Sequence, residues 1–171
     1  MKKTTLLSVC MVLILAFATW APSLAQTGVP LTIKNPLPKS TVVMLDGVKD
    51  YTFTVGAGQT VNKTIEQGKY KVKYEGCLGK STKGTLKLKG GKFELIIKPC
   101  KMAKWTIFNA SSTIFTSELK GWMSYRLVVG PGQTKTFDLV AGAYQFKNAC
   151  GTDSWTGKVK VSSNKKWVMC T

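Results

Sequence analysis

The residue types that most often carry out catalysis are scarce in this chain. The sequence contains no histidine, which removes Ser-His-Asp and Cys-His catalysis, histidine-ligated zinc and the commonest general base. Two carboxylates, Asp46 and Asp50, lie near one turn and would be the material for a paired-carboxylate site. No Asp-rich calcium loop is present. We therefore predict no enzymatic activity, no cofactor and no metal site.

Two glycine pairs, Gly56-x-Gly58 and Gly130-x-Gly132, have the spacing that begins a phosphate-binding loop. A nucleotide cradle also needs a helix after the loop and a third glycine or a Gly-Lys-Ser ending. None of these follows either pair, so both are predicted to be tight turns between strands, where glycine adopts positive backbone angles at little cost.

Aromatic and cationic residues in the second half of the chain form the candidate ligand site. Trp122 and Trp155 are its central members, with Tyr125 and Arg126 close by in sequence. Such a combination stacks on sugar rings or anchors a protein partner. The alternative is that these side chains cover the junction between the two halves of the chain, and the sequence leaves both interpretations open.

A second candidate surface consists of lysines at alternate positions. Alternation places lysines on one face of a strand, and the two strands that carry them are predicted to pair. Like charges across paired strands are unfavourable, so a polyanion would relieve a cost, whereas the alternative is simple solubility and protection of sheet edges. The lysines of this predicted polyanion face are Lys69, Lys71, Lys73, Lys83, Lys87 and Lys89, with a thinner version at Lys147, Lys158 and Lys160.

The chain contains an internal duplication, which allows each candidate residue to be compared with its counterpart in the other repeat. Leu31–Asn35 returns as Trp105–Asn109, and Val55–Thr60 returns as Val129–Thr134, both 74 residues later. Asp46 and Asp50 correspond to Lys120 and Ser124, so the carboxylate pair is absent from the second repeat. Both aspartates are therefore predicted to be ordinary turn residues rather than a catalytic pair. Trp105 and Trp167 correspond to Leu31 and Ile97 and are predicted to fill core positions, whereas Trp122 and Trp155 replace Val48 and Thr82.

The cysteines follow the same duplication. Cys10 lies in the N-terminal segment, and of the three pairings open to the other four only Cys77 with Cys100 and Cys150 with Cys170 treats both repeats alike. Each bridge would contribute roughly 3 kcal/mol in the chain-entropy model. A four-cysteine zinc site is the competing interpretation, but no Cys-x-x-Cys pair is present.

The apolar pattern within each repeat has a period of two. Tyr70, Val72 and Tyr74 alternate with lysines, and Leu86 and Leu88 do the same. Five further runs bounded by Gly, Asn, Asp or Pro complete about seven short strands per repeat: Leu31–Lys34, Thr41–Leu45, Tyr51–Val55, Thr60–Ile65 and Phe93–Ile97. The predicted fold is all-β, with two tandem small antiparallel sandwiches of immunoglobulin-like or prealbumin-like build. The first sandwich is predicted at residues 26–100 and the second at residues 101–171, each with one disulfide.

The turn Val55–Thr60, followed by an alternating strand and then Gly68-x-Tyr70-x-Val72, carries a family resemblance. It resembles the prealbumin-like and PEGA-type sandwiches that occur as repeats in bacterial surface proteins. The resemblance covers about 20 residues per repeat and does not include the cysteines. It implies a spacer, adhesion or binding module without a transferable active site.

The N-terminus is predicted to be an export signal, residues 1–25. Lys2 and Lys3 precede an apolar stretch, and Ala21-Pro22-Ser23-Leu24-Ala25 offers small residues at a cleavage site. No later stretch approaches the roughly 20 apolar residues that a membrane span requires. The chain has 25 basic and 8 acidic residues, a net charge of +17, and this excess attracts polyanions in general.

These observations predict a secreted, cell-surface or periplasmic protein that binds an anionic or sugar-rich polymer, such as a cell-envelope polysaccharide. Arg126 is the only arginine, so specific recognition of nucleic acid is not expected, because arginine supplies the planar fork that reads phosphates and base edges. The first alternative is a structural subunit of an extracellular assembly, associating through edge strands such as Leu31–Lys34. A secreted inhibitor or toxin is the third.

Overall fold

The computed structural model of the chain describes residues 28–171, and the predicted signal peptide lies outside the described residues. The first repeat contains seven strands and a 3₁₀ turn at Cys77–Gly79. The strands are β1 (Gly28–Lys34), β2 (Thr41–Asp46), β3 (Tyr51–Val55), β4 (Thr60–Glu66), β5 (Gly68–Glu75), β6 (Ser81–Leu88) and β7 (Phe93–Ile96). They form a three-stranded sheet of order β4-β1-β7 and a four-stranded sheet of order β3-β2-β5-β6.

The second repeat reproduces this arrangement strand for strand. Its strands are β8 (Met102–Asn109), β9 (Phe115–Lys120), β10 (Ser124–Val129), β11 (Thr134–Val140), β12 (Gly142–Cys150), β13 (Asp153–Val161) and β14 (Lys165–Met169). The sheet orders are β11-β8-β14 and β10-β9-β12-β13. The prediction of two tandem all-β sandwiches with seven strands each is therefore confirmed.

Two features of the strand order differ from the sequence-based expectation. The first strand of each repeat pairs in parallel with the last, β1 with β7 and β8 with β14, so the three-stranded sheets are mixed. The predicted edge strand Leu31–Lys34 belongs to β1, which lies between β4 and β7. Its backbone groups are already paired on both sides, so that strand is not free to associate with another copy, and the expectation was wrong.

Alternation of apolar and polar residues gives each sandwich its own core. In β1 the buried side chains are Val29, Leu31 and Ile33, and the residues between them face outward. The second core forms in the same way around Trp105 and Ile107 of β8. Strand register corrects one correspondence: Trp167 lies opposite Ile107 as Leu95 lies opposite Ile33, so Trp167 replaces Leu95 and not Ile97.

A buried asparagine forms hydrogen bonds that stabilise the same turn in both repeats. The side-chain amide of Asn35 donates to the carbonyl oxygens of Lys39, Val55 and Gly56 at 2.8–2.9 Å, and its oxygen accepts from the N–H of Leu37. Asn109 makes the corresponding four bonds in the second repeat. The bonds to the carbonyls of Val55 and Val129 are buried, where polar groups are ordinarily hydrogen-bonded.

The glycine pairs form the tight turns predicted from the sequence. Gly58 and Gly132 have φ angles of 65° and 62°, in the left-handed region that favours glycine. The N–H of Gln59 donates to the carbonyl of Gly56, and the N–H of Gln133 donates to that of Gly130, each at 3.1 Å. These are the closing bonds of β-turns, and they leave no phosphate cradle.

The two disulfides join the predicted partners. Cys77 is bonded to Cys100, with 5.2 Å between their Cα atoms, and Cys150 to Cys170, with 5.8 Å between theirs. In the second repeat the bridge connects the end of β12 in one sheet to the residue after β14 in the other. The zinc interpretation is thereby excluded, and the bridges are typical of proteins that mature in an oxidising compartment.

Candidate functional site

The predicted polyanion face lies on the outer side of β5 and β6, which pair as expected. Lys69 stands directly opposite Lys87, and Lys73 stands opposite Lys83. Lys71 faces Thr85, and Lys89 follows the last residue of β6. All six lysines are exposed. The strand pairing thus places two pairs of like charges side by side on one sheet surface.

Two carboxylates, Asp46 and Glu75, lie on the same side of the sheet as these lysines, but neither forms an ion pair with them. Within residues 28–171 the ion pairs join Lys34 to Glu94, Lys49 to Glu66 and Lys104 to Asp138, and none includes a lysine of the face. The nearest acid by register is Asp46 of β2, opposite Lys71. Next to it on β2, Met44 lies opposite Lys73 and is partly exposed. The surface is therefore cationic with an apolar margin.

The second repeat carries a related but partly neutralised face. Lys147 of β12 lies opposite Glu118 on β9, and Glu118 in turn lies opposite Arg126 on β10. Lys158 and Lys160 of β13 lie opposite Gln145 and Ala143. Sequence reasoning missed Lys120, which the register places opposite Gln145. Lys120 is two residues after Glu118, and this spacing predicts that both side chains lie on the same face of the strand. This face therefore has five cations and one acid, and Glu118 lies between two of the cations, Lys147 and Arg126.

Trp122 lies at the junction between the repeats. It occupies the turn between β9 and β10 and is half-buried. The Nζ atom of Lys39, from the first repeat, lies 5.4 Å from the centroid of its ring. A Cβ atom placed on Gly79 would stand 3.9 Å from the same ring. These contacts fit the alternative in which Trp122 covers the junction.

Tyr125 has a structural partner that accounts for its position. Its hydroxyl oxygen accepts a hydrogen bond from the N–H of Val140 at 3.0 Å, as Tyr51 accepts from the N–H of Glu66 in the first repeat. The neighbouring Tyr144 donates its hydroxyl to the carbonyl of Val140 at 2.7 Å. Burial raises the pKa of Tyr144 to about 12, with a further contribution from Tyr125.

The four residues of the predicted ligand site do not form one cluster. Trp155 lies on β13, at one edge of the four-stranded sheet, whereas Tyr125 and Arg126 lie on β10 at the other edge. Two strands intervene, so the edges are about 14 Å apart. Trp155 is exposed and lies opposite Asn148 of β12. Any role of Trp155 is therefore separate from that of Trp122.

Residues 28–171 contain neither a metal-binding cluster nor a membrane-spanning helix. No group of three or more Cys, Asp or Glu side chains between positions 28 and 171 is arranged to hold a metal ion. Over the same stretch, no helix has the length and apolar character needed to cross a membrane.

Comparison with known proteins gives low similarity throughout. No family model matches the sequence, and no curated protein matches it. Among solved structures, the Bacillus anthracis TIE protein is 14% identical, with a TM-score of 0.41; the match covers 84% of this chain and 33% of that one.

The minor pilin GBS52 of Streptococcus agalactiae is 10% identical, with a TM-score of 0.36, over 82% of this chain and 94% of that one. Both are bacterial proteins. At these TM-scores the backbones follow each other only in part, so the function of neither protein is transferred to this chain.

Proposed function

We propose that this chain is an exported, non-enzymatic surface protein that binds an anionic polymer through the lysine face of the first repeat. The observation that carries the proposal is the direct opposition of Lys69 to Lys87 and of Lys73 to Lys83 without carboxylate partners. Opposed like charges destabilise a strand pair. A bound polyanion neutralises them and turns this cost into binding free energy.

The shape of the face favours an extended polymer. Lysines at alternate positions of one strand are spaced by about 7 Å, and directly opposed lysines by about 5 Å. The resulting array of charges is open and flat, because it projects from the outer side of a sheet. Mobile lysine head groups match repeated negative charges without demanding one fixed geometry. Acidic polysaccharides and cell-envelope polymers have this character.

The test is a binding titration with an acidic polysaccharide and a neutral one at low and high salt. Replacing Lys69 and Lys87 with Gln should weaken binding to the acidic polymer roughly tenfold and reduce its salt dependence, because fewer counterions are released. The matched control is Lys135→Gln with Lys166→Gln, which removes the same charge from exposed positions of the second repeat. That control should change affinity far less.

Equal losses of affinity in the two double variants would contradict a localised face, because net charge alone would then explain the binding. Binding of the neutral polymer with the same affinity, unchanged by salt, would also contradict the proposal. Circular dichroism of each variant establishes that the sheets have formed before affinities are compared.

A second candidate function is that of a structural subunit, and the edge strands β7 and β14 favour it. Each pairs on one side only, and they carry Ile96 and Val168, which are 56% and 58% exposed. Open edges with exposed apolar residues support strand addition between copies. Sedimentation at increasing concentration should then show self-association that Val168→Lys weakens, and a monomer at all concentrations would exclude this function.

A further inference from the structure

The second repeat contains a cavity between its two sheets, which the lysine-face proposal does not use. Its volume is about 270 Å³. The walls are mainly apolar and aromatic, with Phe115 and Leu119 from one sheet and Trp105 and Ile107 from the other. An apolar cavity of about 150 Å³ accommodates benzene. The space here is therefore sufficient for a molecule of about ten non-hydrogen atoms.

Three polar atoms of cavity-lining residues are buried without a hydrogen-bond partner among the residues from 28 to 171. They are the indole nitrogens of Trp105 and Trp167 and the Oδ1 atom of Asn148. Trp105 is only 5% exposed and Asn148 only 6%. Buried polar groups are ordinarily paired, so two N–H donors and one amide oxygen at one cavity indicate a place for a polar atom of a ligand.

The cavity has an entrance between the edge strands of the two sheets. Its lining residues Trp155 and Lys158 are exposed and lie on β13, and Trp167 and Met169 are partly exposed and lie on β14. Trp155, which is 39% exposed, presents an aromatic ring at this entrance. The ring offers a stacking surface to an incoming apolar molecule.

The first repeat shows what distinguishes this cavity from an ordinary core. By register, Tyr74 takes the place of Asn148, and Val43 takes the place of Ser117. Val43 is buried and Tyr74 packs against the apolar core. The second repeat therefore has smaller, polar side chains at positions that the same fold fills with apolar volume.

We propose that this cavity binds a small, uncharged, mostly apolar molecule that carries a hydroxyl group. The hydroxyl oxygen accepts a hydrogen bond from an indole N–H, and its proton is donated to the amide oxygen of Asn148. A hydroxyl also satisfies the amide in either orientation, since it can donate or accept. The apolar body of the ligand occupies the space between the sheets.

The test uses two probes of equal size, para-ethylphenol and para-ethyltoluene, which differ in the hydroxyl. We expect para-ethylphenol to give saturable shifts of the Trp105 and Trp167 indole N–H resonances in a two-dimensional NMR titration. Para-ethyltoluene should bind at least about tenfold more weakly, because it leaves the three polar atoms unpaired. No saturable shift with para-ethylphenol would overturn the proposal, and the cavity would then hold water only.

Variants separate the polar contribution from the volume. Asn148→Leu keeps the side-chain size and removes the amide, so the preference for para-ethylphenol should fall to about threefold or less. Asn148→Tyr introduces the residue found in the first repeat and should abolish binding of both probes by filling the cavity. The control Lys147→Leu, at an exposed position of the same strand, should leave both affinities unchanged.

Equal affinity of the original protein for the two probes would also overturn the proposal, because the site would then be an apolar void without a polar function. Thermal unfolding shows whether each variant folds. Should Asn148→Tyr fail to fold, Ser117→Val is the second cavity-filling variant. Its register counterpart Val43 is fully buried in the first repeat, and the added methyl group should weaken binding, so an unchanged affinity of that variant for para-ethylphenol would contradict the assigned location.

Discussion

At the scale of single residues, the two buried asparagines show that the duplication preserves a structural hydrogen-bonding role. Asn35 and Asn109 each donate to three carbonyl oxygens and accept from one backbone N–H. The sequence alignment places them at equivalent positions but does not reveal this role, because an asparagine beside a strand is equally common in exposed turns. Only the path of the backbone brings the three carbonyl groups within reach of one amide.

Tyr125 illustrates a signal that was present and could have been used. The sequence analysis places it in the predicted ligand site because it stands near Trp122. Tyr51, however, occupies the same position in the first repeat, where no tryptophan is near. A tyrosine that recurs without its supposed partner indicates a structural role. The bonds of both hydroxyls to backbone N–H groups agree with that reasoning.

Tyr144 should make the stability of the protein fall at alkaline pH. Its pKa is about 12 in the folded protein and about 10 in an unfolded chain. Below pH 10 the hydroxyl is protonated in both states and its contribution is complete. Between pH 10 and 12 the unfolded chain ionises first, so up to about 3 kcal/mol of stability is lost.

The variant Tyr144→Phe should be about 1 kcal/mol less stable than the original protein near pH 8, since the hydrogen bond to Val140 is missing. That difference should vanish between about pH 10 and 11 and reverse in sign by pH 12, because only the original protein loses stability as this hydroxyl ionises in the unfolded chain. Urea unfolding at a series of pH values measures it, with Tyr70→Phe as the counterpart in the first repeat, where burial also raises the pKa. A difference that stays constant across the alkaline range would contradict the assignment.

At the scale of strands and sheets, alternation and turn residues were sufficient to locate the elements. The predicted strand Tyr51–Val55 coincides with β3, and Thr41–Leu45 differs from β2 by one residue. The order of the strands in each sheet could not be predicted from the sequence. The parallel pairing of β1 with β7, for example, joins the two ends of a repeat. Periodicity reports which side of a strand is buried but not which strand lies next to it.

The cavity could not be predicted for a related reason. Trp105, Asn148 and Trp167 are distant in sequence and come from three strands in two sheets. The duplication shows that Asn148 stands where the first repeat has Tyr74. Whether this difference leaves a cavity depends on which residues face Asn148 across the sandwich. Trp155 is a member of the ligand site predicted from the sequence, but its neighbours in the structure are different from those expected.

The disulfide Cys150–Cys170 should support both the second sandwich and its cavity. It joins the two sheets next to Met169, which lines the cavity. Replacing both cysteines with serine should lower the free energy of unfolding by roughly 3 kcal/mol and weaken the binding of para-ethylphenol. Replacing Cys77 and Cys100 instead should cost similar stability without changing that affinity. Loss of binding in both double variants would show that the effect is not local.

At the scale of the whole molecule, the two repeats meet around Leu78 and Gly79 of the first and Trp122 and Gly142 of the second. Gly142 lies so close to Leu78 that a Cβ atom would stand 3.1 Å from the Leu78 Cδ2 atom. Together with Trp122 against Lys39, these contacts connect two sandwiches that otherwise have separate cores.

Trp122 should therefore control how rigidly the repeats are joined. Trp122→Ala removes the ring under Lys39 and the packing beside Gly79, and a cation over an aromatic face contributes about 0.5–1 kcal/mol at such sites. We expect a larger radius of gyration in small-angle X-ray scattering and separation of thermal unfolding into two transitions, because coupled domains unfold together only while their interface holds.

Trp155→Ala is the matched control for this experiment, because it removes the same side chain from an edge strand away from the junction. It should leave the radius of gyration and the number of transitions unchanged while weakening the binding of para-ethylphenol. If instead Trp122→Ala leaves the scattering profile and the number of transitions as they are in the original protein, Trp122 does not hold the repeats together. Its partial exposure beside Lys39 would then make a ligand-binding role the better explanation.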